Sequence, residues 1–246
     1  MGQKEFITTE GLRRDGRRAK ELRRIKCQVG VLQDADGSAM FEMGNTQVLA
    51  SVFGPREVES RADIKQDRAI VKCEYAMANF STGERRRRGK ADRRSTELSK
   101  VIRNTLEQTI CVELLPRSQI DICVQVLQAD GGTRCACINA AALALADAGI
   151  PMKDMVSGCA VGYLQSTPLL DLNYTEDSGG GPDISVALHP NLDRLVLLQM
   201  DGKLPPDVFE ECVALAVDGC KAVASVMRTE LLRHVKRQAV AQQLTS

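Results

Sequence analysis

The chain is poor in aromatic residues and nearly devoid of histidine. Of 246 residues, none is tryptophan, three are tyrosine, five are phenylalanine and two, His189 and His234, are histidine. A nucleic-acid binder built on aromatic stacking platforms is not expected, so any RNA contact should run mostly through charge. No Ser-His-Asp or Cys-His set is apparent. No apolar run approaches the ~20 residues of a membrane span, so no membrane contact is expected. GxGxxG and GxxxxGK[ST] are both missing, which excludes Rossmann and P-loop readings.

Cysteine, by contrast, is plentiful: nine residues in apolar contexts, an odd number, and no secretory leader is expected ahead of them. That pattern leads us to expect reduced thiols in an intracellular protein. Cys135 and Cys137 form a CAC pair without a CxxC or Cys/His partner set, so packing is expected there rather than zinc. Hydrophobic residues make up 43% and charged residues 26%, with a net charge of +1. This is the balance of a globular protein.

The charge is uneven. "GERRRRGKADRR" (83–94) holds seven basic and two acidic residues, "GLRRDGRRAKELRRIK" (11–26) is a second basic stretch, and "DLNYTEDSGGGPD" (171–183) is acidic. Such asymmetry in a near-neutral chain suggests a local anion site.

Periodicity gives an α+β chain in two pseudo-repeated halves. Alternating runs at 25–32, 38–43, 46–53 and 69–80 predict four strands, with Gly44-Asn45 as a turn. Leu98, Val101, Ile102, Leu106 and Ile110 predict a helix, 118–128 a further strand, and 135–148 a helix of small residues lying between the halves. The second half repeats four strands (155–163, 167–173, 183–189, 194–200) and a helix from about Pro205. The expected divisions are a basic N-terminal segment (1–20), which is polar and partly flexible, two domain halves (21–150 and 151–225), and a helical C-terminal tail (226–246).

Three segments carry chemistry. In "LQADGGTR" (127–134) a strand ends, Gly131-Gly132 allow close backbone approach, and a helix starts. Free N–H groups there favour an anion, with Thr133 adding a hydroxyl and Arg134 a planar fork. A plain strand-to-helix turn remains the alternative. Arg93 and Arg94 fall at the first turn of a helix, against its dipole unless an anion binds. Arg85–Arg88 fit either a polyanion track or a solvated loop. Asp171 and Asp177, six residues apart, could hold magnesium beside a phosphate, or belong to an acidic loop; Asp183 follows the glycine run.

These residues, with "DGRR" (15–18), "ADGSAMFEMGNTQVLASVFGPRE" (35–57), "FSTGERR" (80–86), "ALADAGIPMKDM" (144–155) and "LLDLNYTED" (169–177), resemble the RNase PH family over about residues 11–220. Within it, the chain looks most similar to the eukaryotic exosome ring subunit of the lineage that is catalytic in archaea. The resemblance implies a duplicated fold like ribosomal protein S5 domain 2. It implies a hetero-hexameric ring with other RNase PH-like subunits, S1/KH cap subunits, an associated hydrolytic ribonuclease, and a place in nucleus, nucleolus and cytoplasm. The activity implied is phosphorolytic 3′-to-5′ RNA degradation, with inorganic phosphate as co-substrate and Mg2+ as cofactor.

Carried over residue by residue, Thr133, Arg134 and Gly132 bind the attacking phosphate, and Arg93 and Arg94 contact RNA and phosphate. Asp171 and Asp177 act in the metal or acid/base role, and Arg61 contacts RNA at a channel constriction in the 57–68 loop. A silent ring scaffold and a stand-alone tRNA-trimming RNase PH stay open as alternatives.

Overall fold

A computed structural model describes residues 6–8, 10–60, 64–83, 85 and 92–245, with side chains to residue 241. The first half builds a five-stranded sheet ordered β1-β2-β3-β5-β4: β1 (Ile25–Val29), β2 (Gly37–Met43), β3 (Thr46–Glu57), β4 (Ile70–Met77) and β5 (Ser118–Gln128). β1, β2 and β3 form an antiparallel meander, with Gly44-Asn45 turning β2 into β3. β5 returns antiparallel to β3, and β4 pairs parallel to β5 at the sheet edge. That parallel pair needs a crossover, which α1 (Arg93–Thr109) supplies.

Alternation decides which face of β5 is buried. Ile120, Ile122, Val124 and Val126 are at most 1% exposed, while Asp121 and Gln125 point the other way. α1 buries Leu98, Ile102, Leu106 and the intervening Thr105 and Thr109 on one stripe.

α2 (Thr133–Asp147) is buried all round from Cys135 to Leu145. It packs on β2 and β3 from one side and on β6 and β8 from the other, so it lies between the halves. Its alanines let it come very close. A Cβ at Gly37 would sit 2.2 Å from the Ala144 carbonyl oxygen, so β2 can carry only glycine at that point. Burial pushes the Cys135 thiol up to about 12 and raises that of Cys137 well above the ordinary thiol value. Both are therefore neutral packing groups at physiological pH, and all nine cysteines are free.

The second half is a four-stranded antiparallel sheet ordered β7-β6-β8-β9: β6 (Ser157–Leu164), β7 (Thr167–Leu170), β8 (Asp183–His189) and β9 (Arg194–Asp201). The run expected at 167–173 ends early. Asp171 takes a left-handed φ of +56°, and a four-residue helix, α3 (Tyr174–Asp177), follows. α3 is closed by a reciprocal capping box between Asn173 and Glu176. α4 (Pro206–Thr245) packs on β6, β7 and β8 and continues to β1 in the first half. There His234 Nε2 lies 3.2 Å from Asp147 Oδ1 at the end of α2. Among the described residues no helix is long and apolar enough to cross a membrane.

The N-terminal basic segment is anchored in its described part rather than flexible. Arg13 is 2% exposed, forms a two-point ion pair with Glu176, and donates to the Asp171 carbonyl at 2.9 Å. Arg17 donates to the same carbonyl at 3.0 Å.

Candidate active site

A cleft of about 1340 Å³ opens where β4 and the loop after it, the start of α1, the start of α2, and α3 meet. Arg85, Arg94, Gly131, Thr133 and Asp177 all line it. Both halves of the chain therefore contribute walls.

The turn into α2 is built from its neighbours. Gly131 and Gly132 both have positive φ, +74° and +62°. A Cβ on Gly131 would lie 2.5 Å from the Leu172 carbonyl oxygen, and one on Gly132 would lie 3.2 Å from an Arg23 nitrogen. The glycine pair is thus required by the chain segment pressed against it as well as by backbone conformation. Thr46 Oγ1 donates to the Gly131 carbonyl at 2.9 Å, and Asp130 Oδ1 accepts from the Tyr174 amide at 3.0 Å. The turn, the β2–β3 hairpin and α3 are locked together.

Arg134, in the first turn of α2, donates to Ser185 Oγ at 3.3 Å on β8. Among the described residues its Nε is buried without a hydrogen-bond partner. A buried guanidinium N–H left unmatched by protein suits an anionic ligand. With Thr133 and the amides at the start of α2, it makes up the candidate anion seat.

Asp177 and Asp183 are coupled electrostatically to each other and to Arg134. Loss of hydration raises the pKa of Asp177, against the opposing pull of Arg94 and Arg134. Burial raises that of Asp183, with the charges of Asp177 and Asp201 adding to it. Two carboxylates that repel each other beside an anion seat favour a cation or a shared proton.

Asp171 is not part of this pair. It is 0% exposed, and both carboxylate oxygens are taken by Arg23: Nε to Oδ2 at 2.9 Å and a terminal nitrogen to Oδ1 at 2.7 Å. The Arg23 backbone N–H also donates to Oδ2 at 2.9 Å. Burial disfavours the Arg23 charge, but the Asp171 carboxylate outweighs it and raises the pKa. The metal or acid/base role expected of Asp171 is therefore corrected: a carboxylate with both oxygens bound and no exposure holds no metal and moves no proton. Asp183, six residues beyond Asp177, stands where Asp171 was expected. Its signal was the same spacing repeated once more. Among the described residues no three His, Cys, Asp or Glu side chains gather as a metal site. Asp177 and Asp183 still fit Mg2+, which keeps waters and binds through one or two carboxylates plus substrate phosphates.

The expected arginines divide. Arg94 lines the cleft and acts on Asp177, whereas Arg93 is exposed at the helix start, outside the cleft lining. No acidic residue occupies the first turn of α1, and its N-cap Asp92 makes no side-chain cap hydrogen bond. Arg61 and Arg86–Arg88 lie outside the described residues.

The two parts of the chain match the two domain patterns of the 3′ exoribonuclease family, domain 1 over residues 21–151 and domain 2 over residues 154–219. The chain belongs to this RNase PH family. It is 61% identical over 234 residues to the exosome complex component RRP41 homolog of Arabidopsis thaliana, covering 95% of this chain and 97% of that protein. It is 47% identical to human exosome complex component RRP41, covering 98% of each. It is 51% identical to Rrp41 of Thermococcus onnurineus, covering 94% of each. Among solved structures, rice Rrp46 superposes with a TM-score of 0.79 at 25% identity, covering 89% of this chain and all of that one. The Archaeoglobus fulgidus exosome with RNA bound to the active site has a TM-score of 0.76 at 22% identity, covering 88% of this chain and 92% of that one, and shares the fold.

Proposed function

We propose that this chain is an exosome component that degrades RNA from the 3′ end by phosphorolysis. The observation that carries the reading is the convergence of Arg134 and Thr133 at the start of α2 with the coupled carboxylates Asp177 and Asp183. In this mechanism Arg134, Thr133 and the α2 amides hold inorganic phosphate as the nucleophile. Arg94 and Arg85 draw the RNA backbone into the cleft. An oxygen of the phosphate bonds to the phosphorus of the 3′-terminal phosphodiester. The bond from that phosphorus to the O3′ of the preceding nucleotide breaks, O3′ takes a proton, and a nucleoside diphosphate leaves. No protein nucleophile is needed, in keeping with the near absence of histidine. Mg2+, held by Asp177 and Asp183, would supply Lewis-acid stabilisation of charge at the reacting phosphates.

Membership of a hetero-hexameric ring with S1/KH caps and an associated hydrolytic ribonuclease belongs to the same proposal, supported by the similarity to Rrp41 components. The experiment supplies the assembled complex with RNA and phosphate. We expect nucleoside diphosphates, and Arg134→Ala should abolish their release with assembly unchanged. Monophosphates alone, or no products, would favour a scaffold that passes RNA to a hydrolytic partner.

A further inference from the structure

The chain has eight aromatic side chains, and six are buried or half-buried. The other two, Phe80 at 74% and Tyr174 at 63%, are exposed, and both line the same charged cleft. They come from different halves of the chain: Phe80 from the loop after β4, Tyr174 from the first position of α3. Each is fixed next to the anion seat. The Ser81 carbonyl, beside Phe80, accepts from the Ala129 amide at 2.8 Å, and the Tyr174 amide donates to Asp130 Oδ1 at 3.0 Å. Two consecutive residues of the turn into α2 thus hold the two aromatics at the site where a terminal phosphodiester would lie.

A large ring left in water forfeits hydrophobic stabilisation. Placing the two exposed rings among arginines and aspartates has a use if a flat, partly apolar ligand covers them. Nucleobases are such ligands, and stacking tolerates every base because each has a π-face. We propose that Phe80 and Tyr174 stack on bases of the 3′-terminal nucleotides of RNA, a sequence-tolerant grip added to the charge of Arg85 and Arg94. The inference rests on the RNA reading above and revises the expectation that contact runs mostly through charge.

The test uses RNA carrying 2-aminopurine at its 3′ end, bound to the assembled complex without phosphate. Stacking should quench the fluorescence. Phe80→Ala and Tyr174→Ala should each relieve the quenching and weaken binding by about 5- to 150-fold, with Tm unchanged. Phe80→Tyr should restore the quenching. RNA with an abasic 3′ end should bind weakly to the parent protein and be indifferent to these substitutions. The gap between base-bearing and abasic RNA should stay flat as salt rises.

Quenching unchanged in the double variant, or equal losses for base-bearing and abasic RNA, would overturn the proposal. So would a change in the mass of the complex, which would make these rings subunit contacts. Quenching without diphosphate release would sink phosphorolysis alone, and diphosphate release without quenching would sink stacking alone.

Discussion

The two basic stretches of this protein look alike as text, yet the first buries two of its arginines while Arg14, Arg18 and Arg24 stay exposed, and the second exposes every arginine described. In 11–26, Arg13 and Arg23 are 2% and 8% exposed and spend their donors on Glu176, Asp171 and backbone carbonyls. In the described part of 83–94, Arg85, Arg93 and Arg94 are exposed, and Arg85 and Arg94 line the cleft. What separates them is the supply of carboxylates. The acidic loop at 171–177 neutralises the first set internally, leaving Asp177 and the second set to face a ligand. An arginine whose partners are inside the fold is a structural strut, and one whose partner must come from outside is a binding group.

This contrast can be broken from either side. The largest effect should come from Asp171→Ala. Removing one partner of a buried ion pair leaves the other charge stranded and costs about 3–5 kcal/mol. At about 2–4 °C per kcal/mol for a chain of this size, thermal unfolding should shift down by roughly 10 °C. An unchanged Tm would mean that Arg23 has another way to be satisfied.

Arg94→Ala should do the opposite. Tm should hold, while the dependence of log affinity on log salt should lose about one unit of slope, measured by RNA titration at several salt concentrations.

The smallest effect on stability concerns the coupled carboxylates. A carboxyl whose folded pKa is raised stabilises the fold when protonated, fully so below its unfolded value. That contribution is lost as pH rises through the folded value. Burial and the charges of Asp177 and Asp201 disfavour the ionised form of Asp183. Asp183→Asn should therefore stabilise the fold slightly, by no more than about 1 kcal/mol after solvent screening, while abolishing catalysis. The gain should shrink as pH falls toward the carboxylate range, checked by thermal scans across pH.

Much of the architecture was legible because it rests on period. Ile120, Ile122, Val124 and Val126 announce a strand by alternation, and Leu98, Ile102 and Leu106 announce a helix face. The candidate anion seat stood out in the sequence because strand, glycines and arginine are contiguous. The struts were not. Arg23 and Asp171 are 148 residues apart, and nothing local marks either as buried. The helix at 174–177 is shorter than any periodic signal, although its Asn-x-x-Glu capping pattern was there to be read. The two halves are also less alike than their order suggests. The first carries a parallel edge pair through the α1 crossover, while the second is wholly antiparallel.

The close approach of Gly131 to Leu172 and Asn173 gives the site an engineering property. The groups proposed to hold the attacking phosphate belong to the first half, and the coupled carboxylates to the second. At the seam, backbone meets backbone with no side chain between to act as padding. The joint has no play: a shift of either half by the width of a methyl group carries the other with it. A compound that wedged this seam apart would misalign nucleophile and leaving group without touching a single charged residue of the site.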